Sequence, residues 1–206
     1  NEAFRILGLI SATPYDLKIP DSVTKLGDGA FNSNGYVRSL QLSNNLREIG
    51  SSAFSGLGAN QNDLITFNLP DKVEIIGENA FDGAKVSGTL TLPRDVFIES
   101  YAFRNCSLTD VNLDERIAYS QNLAYLFSGC DNLTGHPKPL RMASYSTGQP
   151  DVIKYGYGMY AQCTGFTGTL TLSNEVGRST HVEDSAFSLC SNLSSVEILD
   201  QCYLKG

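Results

Sequence analysis

The chain has 206 residues, with 15 Lys plus Arg against 22 Asp plus Glu and a formal net charge of −7. That balance speaks against a nucleic-acid partner or an anionic membrane, since both need a basic patch. No apolar run of about 18 residues occurs, so neither a transmembrane helix nor direct membrane insertion of this segment is expected.

Residues 1–16 read as a partial N-terminal repeat and a linker, R-I-L-G-L-I-S-A-T-P-Y. The chain opens on N-E-A-F, the tail of a repeat, so an upstream export signal and a cap are expected to have been removed. From 17 to 198 one unit recurs, and 199–206 reads as a C-terminal tail. The clearest copy is 67–84, F-N-L-P-D-K-V-E-I-I-G-E-N-A-F-D-G-A. It carries a short alternation (Phe67-x-Leu69) closed by Pro70, a second alternation (Val73-x-x-Ile76) closed by Gly77, then Ala80-Phe81, then a small residue at Ala84.

The strand mark recurs at Leu17-x-Ile19, Leu40-x-Leu42, Phe67-x-Leu69, Leu90-x-Leu92, Val111-x-Leu113, Leu140-x-Met142, Leu170-x-Leu172 and Val196-x-Ile198. These predict about eight rungs, stacked roughly 4.8 Å apart. The Ala-Phe mark falls at Phe4, Phe31, Phe54, Phe81, Phe103 and Phe187, with weaker copies at Leu126-Phe127 and Met159-Tyr160. Ile19 to Phe31, Leu42 to Phe54 and Leu69 to Phe81 are each 12 residues apart. Strands this short cannot stand alone, so each unit must bury its apolar face on its neighbours. Pro ends the strand because it cannot donate to the ladder, and the Gly after the second alternation is expected to turn the chain at positive φ.

Four of the five cysteines share one slot. Cys106, Cys130, Cys163 and Cys190 each lie three residues after the repeat's aromatic residue. Asn34, Leu57 and Ala84 fill that slot in earlier units. A ladder of buried thiols acting as small apolar residues is the expectation. Disulfides between adjacent rungs are the alternative, the state of Cys202 is open, and no Cys-x-x-Cys pair points to a metal.

Regularity fails in the second half. Leu113 to Phe127 is 14 residues, Met142 to Tyr160 is 18 and Leu172 to Phe187 is 15. Extra residues in solenoids map to loops, often on the binding face. The insertion 143–158, A-S-Y-S-T-G-Q-P-D-V-I-K-Y-G-Y-G, is rich in Tyr, Gly and Ser. Tyr145, Tyr155, Tyr157, Tyr119 and Tyr125 are therefore the candidate partner-binding residues, because Tyr offers contact area at low entropy cost. Rings packed on the solenoid edge are the bland alternative; Tyr160 belongs to the aromatic spine. His136 and His181 pair with no nucleophile in a recognised order, and no phosphate loop or calcium loop occurs. No catalytic residue, metal ligand or cofactor is expected. The strings Asn105-Cys-Ser, Asn132-Leu-Thr and Asn192-Leu-Ser read as by-products of the repeat.

The segments L-K-I-P-D-S-V-T-K-L-G-D-G-A-F (17–31) and F-N-L-P-D-K-V-E-I-I-G-E-N-A-F (67–81) resemble the BspA-like leucine-rich repeats, and S-A-F-S-L-C-S-N-L (185–193) resembles their second half. The resemblance implies a single right-handed leucine-rich repeat solenoid over 1–206. It would be a β-rich α/β repeat with short parallel strands on one face and turns or short helices at the Ala-Phe corners. It also implies a non-enzymatic protein at a cell surface or outside the cell, adhesin-like and monomeric, that recognises a protein or glycan of a host or neighbouring cell. The alternative is a structural spacer of a larger surface protein. An enzyme with its site in the irregular half is the remaining rival.

Overall fold

The computed structural model describes residues 13–113, 116–119, 123–142, 152–172, 180–199 and 202–204, of which 116–119, 141, 142, 152 and 203 are described by their backbone alone. The chain winds as a solenoid of short strands. Each full coil has a first face, a second face and a corner, and seven corners follow one another, at Phe31, Phe54, Phe81, Phe103, Phe127, Tyr160 and Phe187.

The strand marks end the strands of the first face. Tyr15–Lys18 pairs with Val37–Gln41; Ile65–Thr66, Val86–Thr91 and Ser107–Asn112 form a second group; Gly168–Leu172 pairs with Leu193–Ile198. All these pairs are parallel, with Leu17 opposite Leu40, Leu90 opposite Val111 and Leu170 opposite Val196. Pro20, Pro70 and Pro93 then accept, on their carbonyls, from Val23, Val73 and Val96, so each Pro opens the turn to the next face. In the coil of Leu40-x-Leu42, which lacks this Pro, the fully buried Ser43 accepts from Leu46 in the same way and donates its hydroxyl to the Val23 carbonyl at 2.6 Å.

The second alternation builds the longer sheet. Nine strands lie side by side: Lys25–Leu26, Glu48–Ile49, Ile75–Ile76, Phe97–Ile98, Arg116–Tyr119, Leu140–Met142, Val152–Tyr155, Thr180–Val182 and Cys202–Leu204. Parallel strands on one face only were expected; the coil instead carries strands on two. Leu140-x-Met142, expected to be a first-face strand, belongs to this second sheet. It pairs antiparallel with Val152–Tyr155, with Leu140 opposite Lys154. This is the one antiparallel pair among the described residues. The long unit is therefore a coil with an extra strand in its second face; that strand, and Cys202–Leu204 after the Phe187 corner, make nine second-face strands beside seven described corners.

No helix occurs among the described residues, which corrects the expected α/β class and the short-helix corners. The reason is visible in the backbone. The residue two places before each spine aromatic and the residue two places after it both have φ between 53° and 71°, as at Asn79 and Gly83 around Phe81. Left-handed residues four apart interrupt an α-helix. They also turn the corner N–H groups along the solenoid axis, onto the next coil. Phe54 donates to the Ala80 carbonyl at 2.7 Å, Phe81 to Ala102 at 2.8 Å and Tyr160 to Ala186 at 2.8 Å. The expected positive φ at Gly77 is not found. That glycine is needed for close approach, because a Cβ there would sit 2.6 Å from the Ser51 nitrogen of the coil below.

The corner rings form the spine of the core. Successive centroids from Phe31 to Phe187 are 5.0–6.1 Å apart with interplanar angles of 8–23°. Phe54, Phe81, Phe103, Phe127 and Tyr160 are fully buried. Offset stacking adds about 0.5–1.5 kcal/mol per pair to the burial of each ring. On the last coil the same positions lie bare: Val196 and Ile198 are 56% and 49% exposed, while Leu170 and Leu172 beneath them are each 3% exposed. A coil's core face is thus closed only by its neighbour.

Truncating the middle of the spine should therefore be severe. Phe81→Ala is expected to cost about 3–5 kcal/mol in urea denaturation, as core Phe truncations do. Tyr157→Ala should cost less than about 1 kcal/mol. Equal losses would contradict this division into core and surface.

Candidate functional site

The sequence-predicted tyrosines separate into three groups. Tyr145 lies outside the described residues. Tyr119 is described by its backbone alone, at the end of the strand that pairs with Phe97–Ile98. Tyr155 is 5% exposed and part of the core: its ring packs on Tyr160 and Phe187, and its hydroxyl donates to the Pro137 carbonyl at 3.1 Å. Burial pushes its phenol upward. Tyr155 stands in a sheet strand where Ile153 and Tyr155 face inward around half-exposed Lys154, an alternation that is legible in V-I-K-Y. It is thus not a surface contact.

Tyr125 and Tyr157 do come together, beside a residue that sequence reasoning missed. Tyr101 stacks on Tyr125 with centroids 5.3 Å apart and planes 6° off parallel. Tyr157 meets Tyr125 edge-on, at 5.3 Å and 86°. Tyr157 is 41% exposed, and the other two are half-buried. Their placement follows from one slot of the corner, two residues before the spine aromatic. Gly29, Ser52, Asn79, Tyr101, Tyr125, Gly158 and Ser185 fill it, all at positive φ. A bulky side chain in this conformation costs about 1–2 kcal/mol. Gly158 leaves its place to the Tyr125 ring, since a Cβ there would lie 2.4 Å from it. Aligning the units on this slot would have found Tyr101.

The row is held at one end by ions. The Arg104 guanidinium lies 4.7 Å from the Tyr101 ring centroid. It donates twice to the Asp82 carboxylate of the preceding coil, at 2.9 and 2.6 Å. Asn105 donates to the same carboxylate at 3.3 Å. At the other end a hydrogen bond to Tyr157, then partial burial, raises the Tyr125 phenol. His136 is exposed in an irregular segment, and His181 is half-buried in a second-face strand, in register with Lys154 and Tyr203. Among the described residues no group of three His, Cys, Asp or Glu is arranged to hold a metal ion. No described helix is long and apolar enough to cross a membrane.

The cysteine slot is buried and reduced. Each ladder thiol donates to the carbonyl of the spine aromatic one coil back. Cys106 reaches Phe81 at 3.1 Å, Cys130 reaches Phe103 at 3.2 Å, Cys163 reaches Phe127 at 3.1 Å and Cys190 reaches Tyr160 at 3.0 Å. No disulfide is present; all five cysteines are free, and Cys202 is only half-buried. Desolvation is the main cause that raises every one of these thiols.

Comparison with known proteins places the architecture. The BspA type leucine rich repeat region matches residues 13–134, in six copies. A crystal structure of a leucine-rich repeat protein from Bacteroides ovatus is similar over 88% of this chain and 66% of that one, at 18% identity and a TM-score of 0.45. This chain spans just under two thirds of that protein's length. No curated protein matches the chain.

Two outcomes follow from the geometry. Raised thiols carry less reactive thiolate at any pH. Maleimide treatment of the native protein at pH 8 should therefore modify Cys202 first, with the four ladder cysteines reacting only after unfolding. Fast native labelling of Cys130, read by mass spectrometry, would contradict the ladder. Tyr125→Gly relieves the backbone but loses the stacked ring, so its unfolding free energy should stay within about 1 kcal/mol of the parent chain.

Proposed function

The chain belongs to the BspA-type leucine-rich repeat family, and on that premise we propose that it is a non-enzymatic binding protein of a cell surface or the extracellular space. Its role is adhesin-like: it holds a protein or glycan partner of a host or neighbouring cell. Members of this family are commonly surface proteins, and leucine-rich repeat folds generally serve recognition, through the extended face that stacked coils create.

The observation that carries the reading is the tyrosine row. Rings occupy a left-handed corner slot at Tyr101 and Tyr125, where Gly29, Asn79 and Gly158 show what the backbone tolerates best. A residue choice that opposes local stability on an accessible surface points to work done there. The row lies on the corner, outside the core that the spine and ladder thiols form. It therefore adds contact area without being needed to close a coil.

Beads coated with the purified chain should adhere to epithelial cell layers. Beads coated with a folded Tyr101→Asn/Tyr125→Gly/Tyr157→Ala variant should adhere at no more than about a tenth of that level, as loss of a hot spot predicts. Equal adherence by the two coatings would sink the assignment of the row. No adherence by the folded parent chain would favour a spacer.

A further inference from the structure

The corner that follows Phe31 brings together a reactive pair of residues and the contacts that keep it from reacting. Asn34-Gly35 is the single Asn-Gly step of the chain. Neighbouring residues account for both members. Asn34 fills the slot held by Leu57, Ala84 and Cys106 in other coils, and it is 9% exposed where those are at most 2% exposed. Its polar side chain is met there by the Tyr15 hydroxyl, which donates to Oδ1 at 2.8 Å. Gly35 is needed because a Cβ would lie 2.6 Å from the Asn60 side-chain nitrogen of the next coil. The missing Cβ also makes the pair chemically weak, since the glycine nitrogen can swing onto the preceding carboxamide with little hindrance.

The reaction needs only water. The Gly35 nitrogen bonds to the Asn34 side-chain carbon and gives its proton to solvent. The bond from that carbon to Nδ2 breaks, and ammonia leaves. Water then adds to one carbonyl of the five-membered succinimide and opens it. Opening on one side gives aspartate. Opening on the other gives isoaspartate, whose main chain runs through the former side chain and is one atom longer.

The fold withholds each part of this step. The attack requires the peptide unit between Asn34 and Gly35 to rotate, and both polar ends of that unit are tied. Its N–H, on Gly35, donates to the Ser33 carbonyl at 2.9 Å in a three-residue turn. Its carbonyl, on Asn34, accepts from Gly58 of the next coil at 3.1 Å. The Gly35 carbonyl accepts from Asn60 at 2.9 Å, which fixes the following unit as well. Tyr15 holds the carboxamide itself. Rotation therefore waits on separation of the Phe31 and Phe54 corners.

We propose that Asn34 is a self-modification site that coil stacking holds inactive: it converts to aspartate and isoaspartate when these two corners part, and the conversion then keeps them from closing as before. Isoaspartate adds a main-chain atom where the Asn34 and Gly35 carbonyls must meet Gly58 and Asn60 in register. Aspartate puts a charge into a slot that is otherwise buried. A transient opening is thereby made permanent.

The test incubates the full chain at neutral pH, native and in urea, and follows the Asn34 peptide by mass spectrometry with a fragmentation that separates aspartate from isoaspartate. Conversion in the native chain is expected to be at least about a hundredfold slower than in urea, as for a group reached only through local opening. Tyr15→Phe, shown to be folded by circular dichroism, should speed native conversion about three- to tenfold through loss of one hydrogen bond. Chains converted in urea and returned to buffer should unfold at lower urea than unconverted chains taken through the same steps. Equal rates in the native and urea-unfolded chains would overturn the lock, and no conversion at Asn34 in urea would overturn the site. An unchanged rate in Tyr15→Phe would remove the hydroxyl from the lock. Equal unfolding midpoints of converted and unconverted chains would overturn the permanence of the change.

Discussion

Every coil of this protein leans on one interaction: the corner N–H groups donate along the solenoid axis to carbonyls of the next coil. Asn79, Phe81 and Gly83 donate to Ser100, Ala102 and Arg104, at 3.1, 2.8 and 2.8 Å. The pattern repeats from corner to corner. The second-face strands are often only two residues long, too short to persist alone. The corner ladder sets their spacing and register, and the stacked rings fill the space that the ladder encloses. The carbonyls of Phe81, Phe127 and Tyr160 accept twice, once from the turn N–H three residues on and once from a cysteine thiol of the next coil. That second acceptance gives the cysteine slot a purpose beyond its volume, because a buried carbonyl has a lone pair left to satisfy.

The same ladder explains how the irregular half is tolerated. Met142 and Tyr160 lie 18 residues apart in sequence, yet the corner resumes in register. Tyr125 donates to Tyr157, Phe127 to Met159 and Gly129 to Ala161, at 2.8–2.9 Å. The second face accommodates an additional, antiparallel strand pairing, and the described corners keep their geometry. Function then has room at the corner slots that point away from the spine. Two of them carry tyrosine where glycine, serine or asparagine serves elsewhere, and the row that results is the surface on which the proposed binding rests. The ion pairs that cross between coils, such as Arg38 with Asp16 and Lys25 with Glu48, lie on exposed faces and add little to stability.

Much of this was legible in the residues. The spine, the cysteine slot and the core positions of the regular units follow from a repeat in which each mark recurs in order. The tyrosines were legible only in part. Tyr155 reads as loop if the insertion is taken whole, and as core once Ile153 and Tyr155 are seen to alternate around Lys154. Tyr101 escaped because it falls in a regular unit, where nothing but its slot distinguishes it. The helical corners were a misreading with a physical cause: Ala-Phe flanked by small residues suits a helical turn, but the left-handed residues on either side send the hydrogen bonds to another coil.

By itself, then, the sequence determined that the chain stacks and which side chains face inward, because alternation and the spacing of Ala-Phe depend only on local geometry and hydrophobicity. Only the tertiary structure decided which alternation forms the long sheet, where the inserted strand pairs and which tyrosines meet. Those outcomes depend on contacts between residues well separated in sequence, such as Tyr101 with Tyr125, Leu140 with Lys154, and Ala124 with Tyr157. No local pattern specifies such contacts; the register of neighbouring coils does.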